Sequence, residues 1–361
     1  MFPLVIAASD VAAQTIEQPP VFIVGQDLDS IRGYLGSGCC PRPDGLTAYL
    51  SLRNLRSEVH GYGGIGVDLD GKPIALEHSW GAGGVNAYKT ATEFGIDNLA
   101  AGLVLNDLQA LIAGGYDANV DQLRHLFAAV KGSVHLRIGY EFDGAWNGDY
   151  RNPARYVAAY RHVADRVRRL ADNVEFVWQA SASPIDDVLD GGHEDIERWY
   201  PGDDYVDWLA FSWFMHPEAR PSVPVDHPPH TPRELAGEVL AMARRTGKPV
   251  MIAEASPQGF DLALSTRRFL SPVWDGPAGE GIEAMTAEEI WEAWYEPLFL
   301  LMDENRDVVR ALAYINCNWD AQAMWGPPYP SGYWGDSRLE RNAALAERFA
   351  RAVTAWKSSF E

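Results

Sequence analysis

Short apolar runs alternate with longer amphipathic stretches along most of the chain. Strands are predicted at Val21–Gly25, Leu46–Leu50, Ala100–Leu105, Val134–Gly139, Val174–Trp178, Trp208–Ser212, Val250–Ala253 and Ala311–Asn316. The third, fourth, fifth and eighth are nearly continuous apolar runs, as strands covered on both faces should be. Helices are predicted at Asp117–Lys131, Asn152–Leu170, Thr231–Thr246, Thr286–Glu304 and Ser337–Trp356. In the second of these, Asn152 suits an N-cap, Pro153 the first helical position, and Tyr156, Tyr160, Val163 and Val167 share one face. Gly132 and Gly247 stand where a left-handed C-cap residue belongs.

Eight strands with intervening helices close most simply into an α/β fold of one domain, a (β/α)8 TIM barrel over residues 21–361. Residues 1–20 are expected to be a leader, disordered or processed. A doubly wound open sheet is the competing arrangement, but it places a glycine-rich phosphate turn after the first strand. Here Gly25 is followed by Gln26-Asp-Leu-Asp-Ser30. The glycine-containing segment at 60–66 lies between no clear strand and helix and is expected to be a loop, as is the stretch Trp325–Trp334.

Two predicted strands end in a carboxylate. Ser133-Val-His-Leu-Arg-Ile-Gly-Tyr-Glu141 belongs to the fourth strand and Lys248-Pro-Val-Met-Ile-Ala-Glu254 to the seventh. In a parallel barrel, residues leaving the C-terminal ends of strands build the active site. Two carboxyl groups about 5–5.5 Å apart across a sugar are what a retaining glycosidase requires, one as acid/base and one as nucleophile. Glu141 lies among Tyr140, Phe142 and Trp146, apolar surroundings that favour the protonated form an acid needs. Arg137 should point into the barrel if its strand alternates regularly.

Composition narrows the substrate. The 361 residues carry a formal charge of −20, which disfavours nucleic acid, anionic membranes and polyanionic glycans as partners. A neutral polysaccharide fits. Thirteen Trp and fifteen Tyr exceed ordinary core use, and aromatic faces are what pyranose rings stack on. Cys39, Cys40 and Cys317 have no metal-ligand spacing. At most one longer-range disulfide is expected, with Cys317 bonded to Cys39 or Cys40, because adjacent cysteines rarely bridge each other. The apolar start, Met1-Phe-Pro-Leu-Val-Ile-Ala-Ala-Ser9, has no basic n-region, so a signal peptide is expected to be absent or trimmed.

Six ordered segments carry a resemblance. They are Val24-Gly-Gln-Asp27, Trp80-Gly-Ala-Gly-Gly-Val-Asn86, Arg137-Ile-Gly-Tyr-Glu-Phe-Asp-Gly-Ala-Trp-Asn147, Asn173–Gln179, Trp199-Tyr-Pro-Gly-Asp203 with Asp207-Trp208, and Ile252-Ala-Glu-Ala-Ser-Pro-Gln258. The chain resembles a glycoside hydrolase of clan A, most closely family 26, which contains β-mannanases, lichenases and β-1,3-xylanases. The resemblance implies a secreted, retaining endo-hydrolase with Glu141 as acid/base, Glu254 as nucleophile, and no metal or cofactor in the chemistry. Mannanases of the family carry histidine just before the acid/base, where this chain has Tyr140; its Gly-Tyr-Glu-Phe-Asp-Gly-Ala-Trp-Asn form looks instead like the β-1,3-xylanase branch. Relatives often place a tyrosine after strand six near the nucleophile. Here that position holds Trp213, so the hydrogen bond is either missing or supplied from elsewhere.

Residues expected to contact sugar are Gln26, Asp27, Trp80, Asn86, Arg137, Tyr140, Asp143, Trp146, Asn147, Trp213, Phe214, Gln258, Asn316 and Trp319. Individually they have structural alternatives: Asp143 and Asn147 as caps of the next helix, Asn86 in a turn. The protein is expected to act as a monomer. Within the same fold, a β-mannanase or β-1,3/1,4-glucanase is the alternative activity, and a non-catalytic carbohydrate-binding barrel is the alternative from another class.

Overall fold

The computed structural model describes residues 16–52, 65, 68, 70–73, 78–185, 193–219, 230–268, 281–329 and 332–361. Eight parallel strands close a barrel: β1 (Val21–Gly25), β2 (Gly45–Ser51), β3 (Asn98–Val104), β4 (Val134–Ile138), β5 (Val174–Ala180), β6 (Trp208–Trp213), β7 (Val250–Ala255) and β8 (Val309–Ile315). Each pairs with its sequence neighbours, and β8 returns to β1. All eight predicted strands are present, displaced by at most two residues at either end.

Helices α1 (Leu28–Ser37), α2 (Ala87–Glu93), α3 (Leu108–Ile112), α4 (Asp117–Ala129), α5 (Pro153–Val167), α6 (Pro232–Thr246), α7 (Ala287–Ile290), α8 (Glu296–Glu304) and α9 (Ala343–Ser358) surround the barrel. As expected, Asn152 caps α5, its Oδ1 accepting from the Arg155 amide at 3.0 Å, and Tyr156, Tyr160, Val163 and Val167 are buried. Gly247 takes the left-handed conformation after α6. Gly132 does not have a positive φ; α4 ends earlier, and a Cβ at Gly132 would collide with Asn98 Oδ1 at 2.3 Å. The predicted helix Thr286–Glu304 is continuous but widens into a π turn at Trp291–Tyr295 between α7 and α8. Pro297 explains the widening, because it has no N–H for the Ala293 carbonyl and its ring would clash there.

Strand alternation sorts the barrel into two environments. Ile23, Ala100, Val177, Trp208, Ala210, Met251, Ala253, Ala311 and Ala313 pack inside. Their neighbours, among them Leu136, Trp178, Phe211, Trp213, Ile252 and Leu312, face the helices in the large outer core. The inner layer is mostly alanine, which leaves room for polar side chains above it. At β7 the alternation breaks. Phe211 pairs with Ile252 but Ser212 with Glu254, and on the other side Leu312 pairs with Ile252 but Tyr314 with Ala255. Both neighbours therefore step past one extra residue of β7. Strict alternation would put Glu254 outside with Ile252, and this bulge turns it inward.

The ordered chain reaches further back than residue 21. Ile16 packs on the outer core, and Arg310 Nη2 donates to its carbonyl at 3.0 Å. Residues 1–15 of the expected leader, and all of the 60–66 loop except Ile65, lie outside the described residues. No helix among the described residues is long and apolar enough to cross a membrane.

Candidate active site

Arg137 is fully buried inside the barrel, and a glycine opposite makes this possible. A Cβ on Gly102 of β3 would come within 2.8 Å of Tyr49, 2.9 Å of Arg137 and 3.0 Å of Tyr140. The guanidinium is sandwiched between the Tyr49 and Tyr140 rings, 4.9 and 5.0 Å from their centroids. Burial alone works against its charge, but Glu254 and the two tyrosines hold its pKa above the usual arginine range.

A hydrogen-bonded chain runs from this arginine across the barrel mouth. Arg137 Nη1 donates to Glu254 Oε1 and, at 3.0 Å, to Gln179 Oε1. The Gln179 amide nitrogen donates to Ser212 Oγ at 3.1 Å and to Glu254 Oε1 at 3.4 Å. Ser212 Oγ in turn donates to Glu141 Oε1 at 2.6 Å. Every polar atom of the Gln179 amide is thus engaged, which fixes its orientation. Side chains from β4, β5, β6 and β7 join the two glutamates into one unit.

Glu141 follows β4 with φ at +51°, a left-handed backbone that costs a non-glycine residue roughly 1–2 kcal/mol. Asn147 holds it there, its Nδ2 donating to the Glu141 carbonyl at 2.7 Å and the Tyr140 carbonyl at 3.4 Å. Trp146, 52% exposed, donates its Nε1 to Glu141 Oε2 at 3.1 Å and offers an open indole face beside the carboxyl group. Phe142 does not contribute to Glu141's surroundings as expected. It stacks on Trp178 and Trp199 in the outer core.

A further aromatic hydroxyl approaches Glu254 from β2, a strand that carries none of the expected site residues. Tyr49 on β2 packs its ring on Arg137, and its own pKa is pushed well above 10, first by burial and then by the nearby Glu254 charge. Trp80 continues the aromatic wall, its ring 5.6 Å from Tyr49, which is itself 5.7 Å from Tyr140. Trp213 is the correction. As the last residue of β6 it alternates outward, fully buried against the helices, and presents no face to a ligand.

Several other expected sugar contacts prove to be scaffold. Asp27 is completely buried as the N-cap of α1, accepting from the Ser30 amide at 2.9 Å and the Ser30 hydroxyl at 2.6 Å. Asn86 caps α2 through the Lys89 amide at 2.9 Å. Asn316, also completely buried, accepts from the Leu339 amide and donates to Glu340, pinning the closing segment to β8. In each case the amide or carboxyl group is spent on backbone behind the mouth. Gln26 is buried near Cys317, its Nε2 3.7 Å from Sγ. Asp143 caps no helix; its Oδ1 accepts from the Ser181 amide at 2.7 Å and ties the loop after β4 to the loop after β5.

Phe214 and Trp319 lie in an aromatic cluster with Trp325 and Trp334 beyond β6 and β8. Trp319 is nearly buried, and its Nε1 is shared between Ser256 and Ser337. The partly exposed Phe214, Trp325 and Trp334 are the members that can meet a ligand. Gln258 stands next to this cluster, its amide donating to the Phe214 carbonyl at 3.0 Å. All three cysteines are free: Cys317 is buried against Gln26, Asp27 and Gln322, whereas Cys40 packs on Ala346, so no bridge joins them.

No protein-family model matches the chain. Among solved structures, a double mutant of the Cellulomonas fimi endo-β-1,4-mannanase aligns with a TM-score of 0.53 at 14% identity, over 94% of this chain and 71% of that one. The catalytic domain of the GH26 endo-β-1,4-mannanase from Bacillus sp. JAMB-750 aligns with a TM-score of 0.51 at 15% identity, over 94% and 89%. These likenesses establish the fold, a (β/α)8 barrel like those of family 26 glycoside hydrolases. In sequence the chain is 35% identical over 321 residues to the β-1,3-xylanase TXYA of a Vibrio species, covering 88% of this chain and 61% of the relative. A β-1,3-xylanase of an Alcaligenes species is 33% identical, covering 88% and 60%. The chain therefore spans about three fifths of the length of the curated relatives it matches. Its sequence similarity lies with these β-1,3-xylanases, and its fold is like that of the family 26 endo-β-1,4-mannanase.

Proposed function

We propose that the protein is a retaining endo-glycoside hydrolase acting on β-1,3-xylan, with Glu254 as nucleophile and Glu141 as acid/base. The observation that carries this reading is the single hydrogen-bonded unit that holds the two glutamates at the C-terminal mouth of the barrel. Glu254 attacks the anomeric carbon while the bond to the departing oxygen breaks and Glu141 passes its proton to that oxygen. A glycosyl ester on Glu254 results. Water then gives a proton to Glu141 and attacks the anomeric carbon, breaking its bond to Glu254 and freeing the sugar in its original configuration. Arg137 and Tyr49 aim the Glu254 oxygens, and Ser212 and Trp146 aim those of Glu141.

The choice of β-1,3-xylan is supported by the two xylanase relatives and by Tyr140, whose ring is packed onto Arg137 where the resemblance implies histidine in mannanases. The −20 charge supports a neutral glycan. A polymeric substrate cannot enter a cell, which supports an extracellular acting form. The test is reducing-end release from β-1,3-xylan, β-1,4-mannan and lichenan side by side, with NMR of the first-formed anomer. Fastest release from β-1,3-xylan with the β-anomer appearing first is the expected result. Faster mannan or lichenan cleavage would replace the substrate assignment, and inversion would remove the nucleophile role. Tight binding of a glycan without turnover would leave a carbohydrate-binding barrel.

A further inference from the structure

Outside the glutamate pair, one cluster brings together side chains whose common chemistry is metal ligation. His193 precedes Ile196–Trp199, the first of two 3-10 turns described between β5 and β6; His230 lies two residues before α6; Glu238 is in the second turn of that helix. One ligating atom from each falls within 4.8 Å of the other two. The imidazole rings are 4.2 Å apart between centroids, and His193 Nε2 lies 2.8 Å from Glu238 Oε1.

We propose that His193, His230 and Glu238 form a zinc-binding site that ties the connection after β5 to the connection after β6 and anchors both on α6. Two imidazole nitrogens and one carboxylate oxygen are a donor set for zinc or a neighbouring late transition ion, with water completing four-coordination. Calcium and magnesium select oxygen donors and are excluded by this set. At zinc bond lengths of about 2.0–2.2 Å, tetrahedral donors sit roughly 3.3–3.5 Å apart. The His193–Glu238 pair must therefore open slightly to admit the ion. Glu238 is carried by a helix, so the adjustment falls to His193, which lies outside any helix or strand. A metal here closes a loop in the chain and so stabilises the folded state by mass action.

The experiment uses the full chain, stripped with EDTA and freed of chelator, then titrated calorimetrically with ZnCl2 and separately with CaCl2. Zinc should bind one ion per chain, raise the melting temperature and give no counterpart with calcium. Co2+ should give the visible absorption of a four-coordinate site. Even partners one step removed from a metal ligand typically cost about 10–100-fold in affinity when mutated, so His193→Ala, His230→Ala and Glu238→Gln should each lose at least that much. These side chains lie at the surface, and unchanged far-UV circular dichroism will separate lost binding from lost folding. The proposal is overturned if zinc fails to saturate a site, or if any one of the three variants keeps parental affinity. It is also overturned if calcium binds in zinc's place. In the first case the cluster is a metal-free histidine–carboxylate ion pair. None of these readouts depends on which glycan is cleaved, so the result stands whether or not the hydrolase reading does.

Discussion

At the N-terminal end of the barrel, Glu175 on β5 faces His135 on β4 and Trp208 on β6; four residues further along β5, Gln179 faces Arg137 on β4 and Ser212 on β6. The same three strands thus build two polar clusters, whose β5 members stand about 13 Å apart along that strand. In the lower one, Glu175 takes an ion pair from His135 at 3.2 Å and hydrogen bonds from Trp208 Nε1 and Ser133 Oγ. Burial by itself would raise its pKa, but these donors together lower it from 4.5 to about 2. Its oxygens are committed to protein donors. In the upper cluster, Glu141 is partly exposed, beside a half-exposed indole and on a strained backbone. Both partly exposed carboxylates are hydrogen-bonded, but only Glu141 stands beside an exposed indole and next to a second glutamate in the same hydrogen-bonded unit.

If that division is right, substitutions at the two ends should separate rate from stability. The largest effect is expected at the mouth. Glu141→Gln should lower hydrolysis by about 10²–10⁴-fold, the usual worth of acid–base catalysis, with a melting temperature close to the parent; Glu254→Gln should lower it by at least as much but also lower the melting temperature, because it leaves the buried Arg137 charge unpaired. Hydrolysis surviving in either variant would break the comparison. Arg137→Met comes next and should fail on both counts. It leaves the Glu254 charge buried without its partner, an arrangement that costs about 3–5 kcal/mol when a buried pair is broken, and it removes the group that aims the nucleophile. A denaturant melt checks the first part and initial rates the second.

Glu175→Gln should do the reverse, leaving the rate unchanged while stability falls by about 1–3 kcal/mol, the range for hydrogen bonds to a charged group. The pH dependence sharpens this further. Because the folded pKa of Glu175 lies below its ordinary 4.5, its contribution is complete above pH 4.5 and is lost as pH falls towards about 2. The stability gap between parent and Glu175→Gln should therefore close over that interval. A gap that stays constant with pH would mean that the His135 contact carries no charge-dependent stabilisation.

The barrel itself was legible in the sequence because its signal is the repetition of apolar runs, and strands buried on both faces cannot hide it. The positions of the two glutamates were legible for the same reason, as charged residues at the ends of such runs; alternation along β4 also gave the inward direction of Arg137, but full burial removes it from the expected sugar contacts. Trp213 was misjudged because proximity in sequence to the mouth was weighed above alternation along β6, which turns it outward. Asp27, Asn86 and Asn316 were misjudged because a polar residue just past a strand serves a helix cap as readily as a ligand. Tyr49 and Ser212 were missed: a tyrosine or serine inside an apolar run looks like strand filler until neighbouring strands are in register. Gln179 was visible as the end of a segment, but nothing local assigned it the task of joining Arg137 to Ser212. The inward turn of Glu254 depends on a bulge measured against β6 and β8, which no single strand reveals.

The smallest expected effect tests how the mouth keeps Glu141 in place. Asn147 has no contact with the nucleophile; it acts through the carbonyls of Tyr140 and Glu141, holding the latter at φ +51°. Asn147→Ala removes those hydrogen bonds, worth about 1 kcal/mol to the fold. Released from that hold, Glu141 can relax towards an ordinary backbone and carry its carboxyl group away from Ser212. A displacement of 1 Å at a reacting group can cost about 10²-fold, and partial occupancy of the correct position should bring the loss nearer tenfold. The loss should fall on kcat rather than KM, since the Asn147 Nδ2 is engaged with the two carbonyls. A variant that loses stability but keeps its kcat would show that Asn147 only staples the loop, and that the left-handed Glu141 is maintained by Trp146 and Ser212 instead.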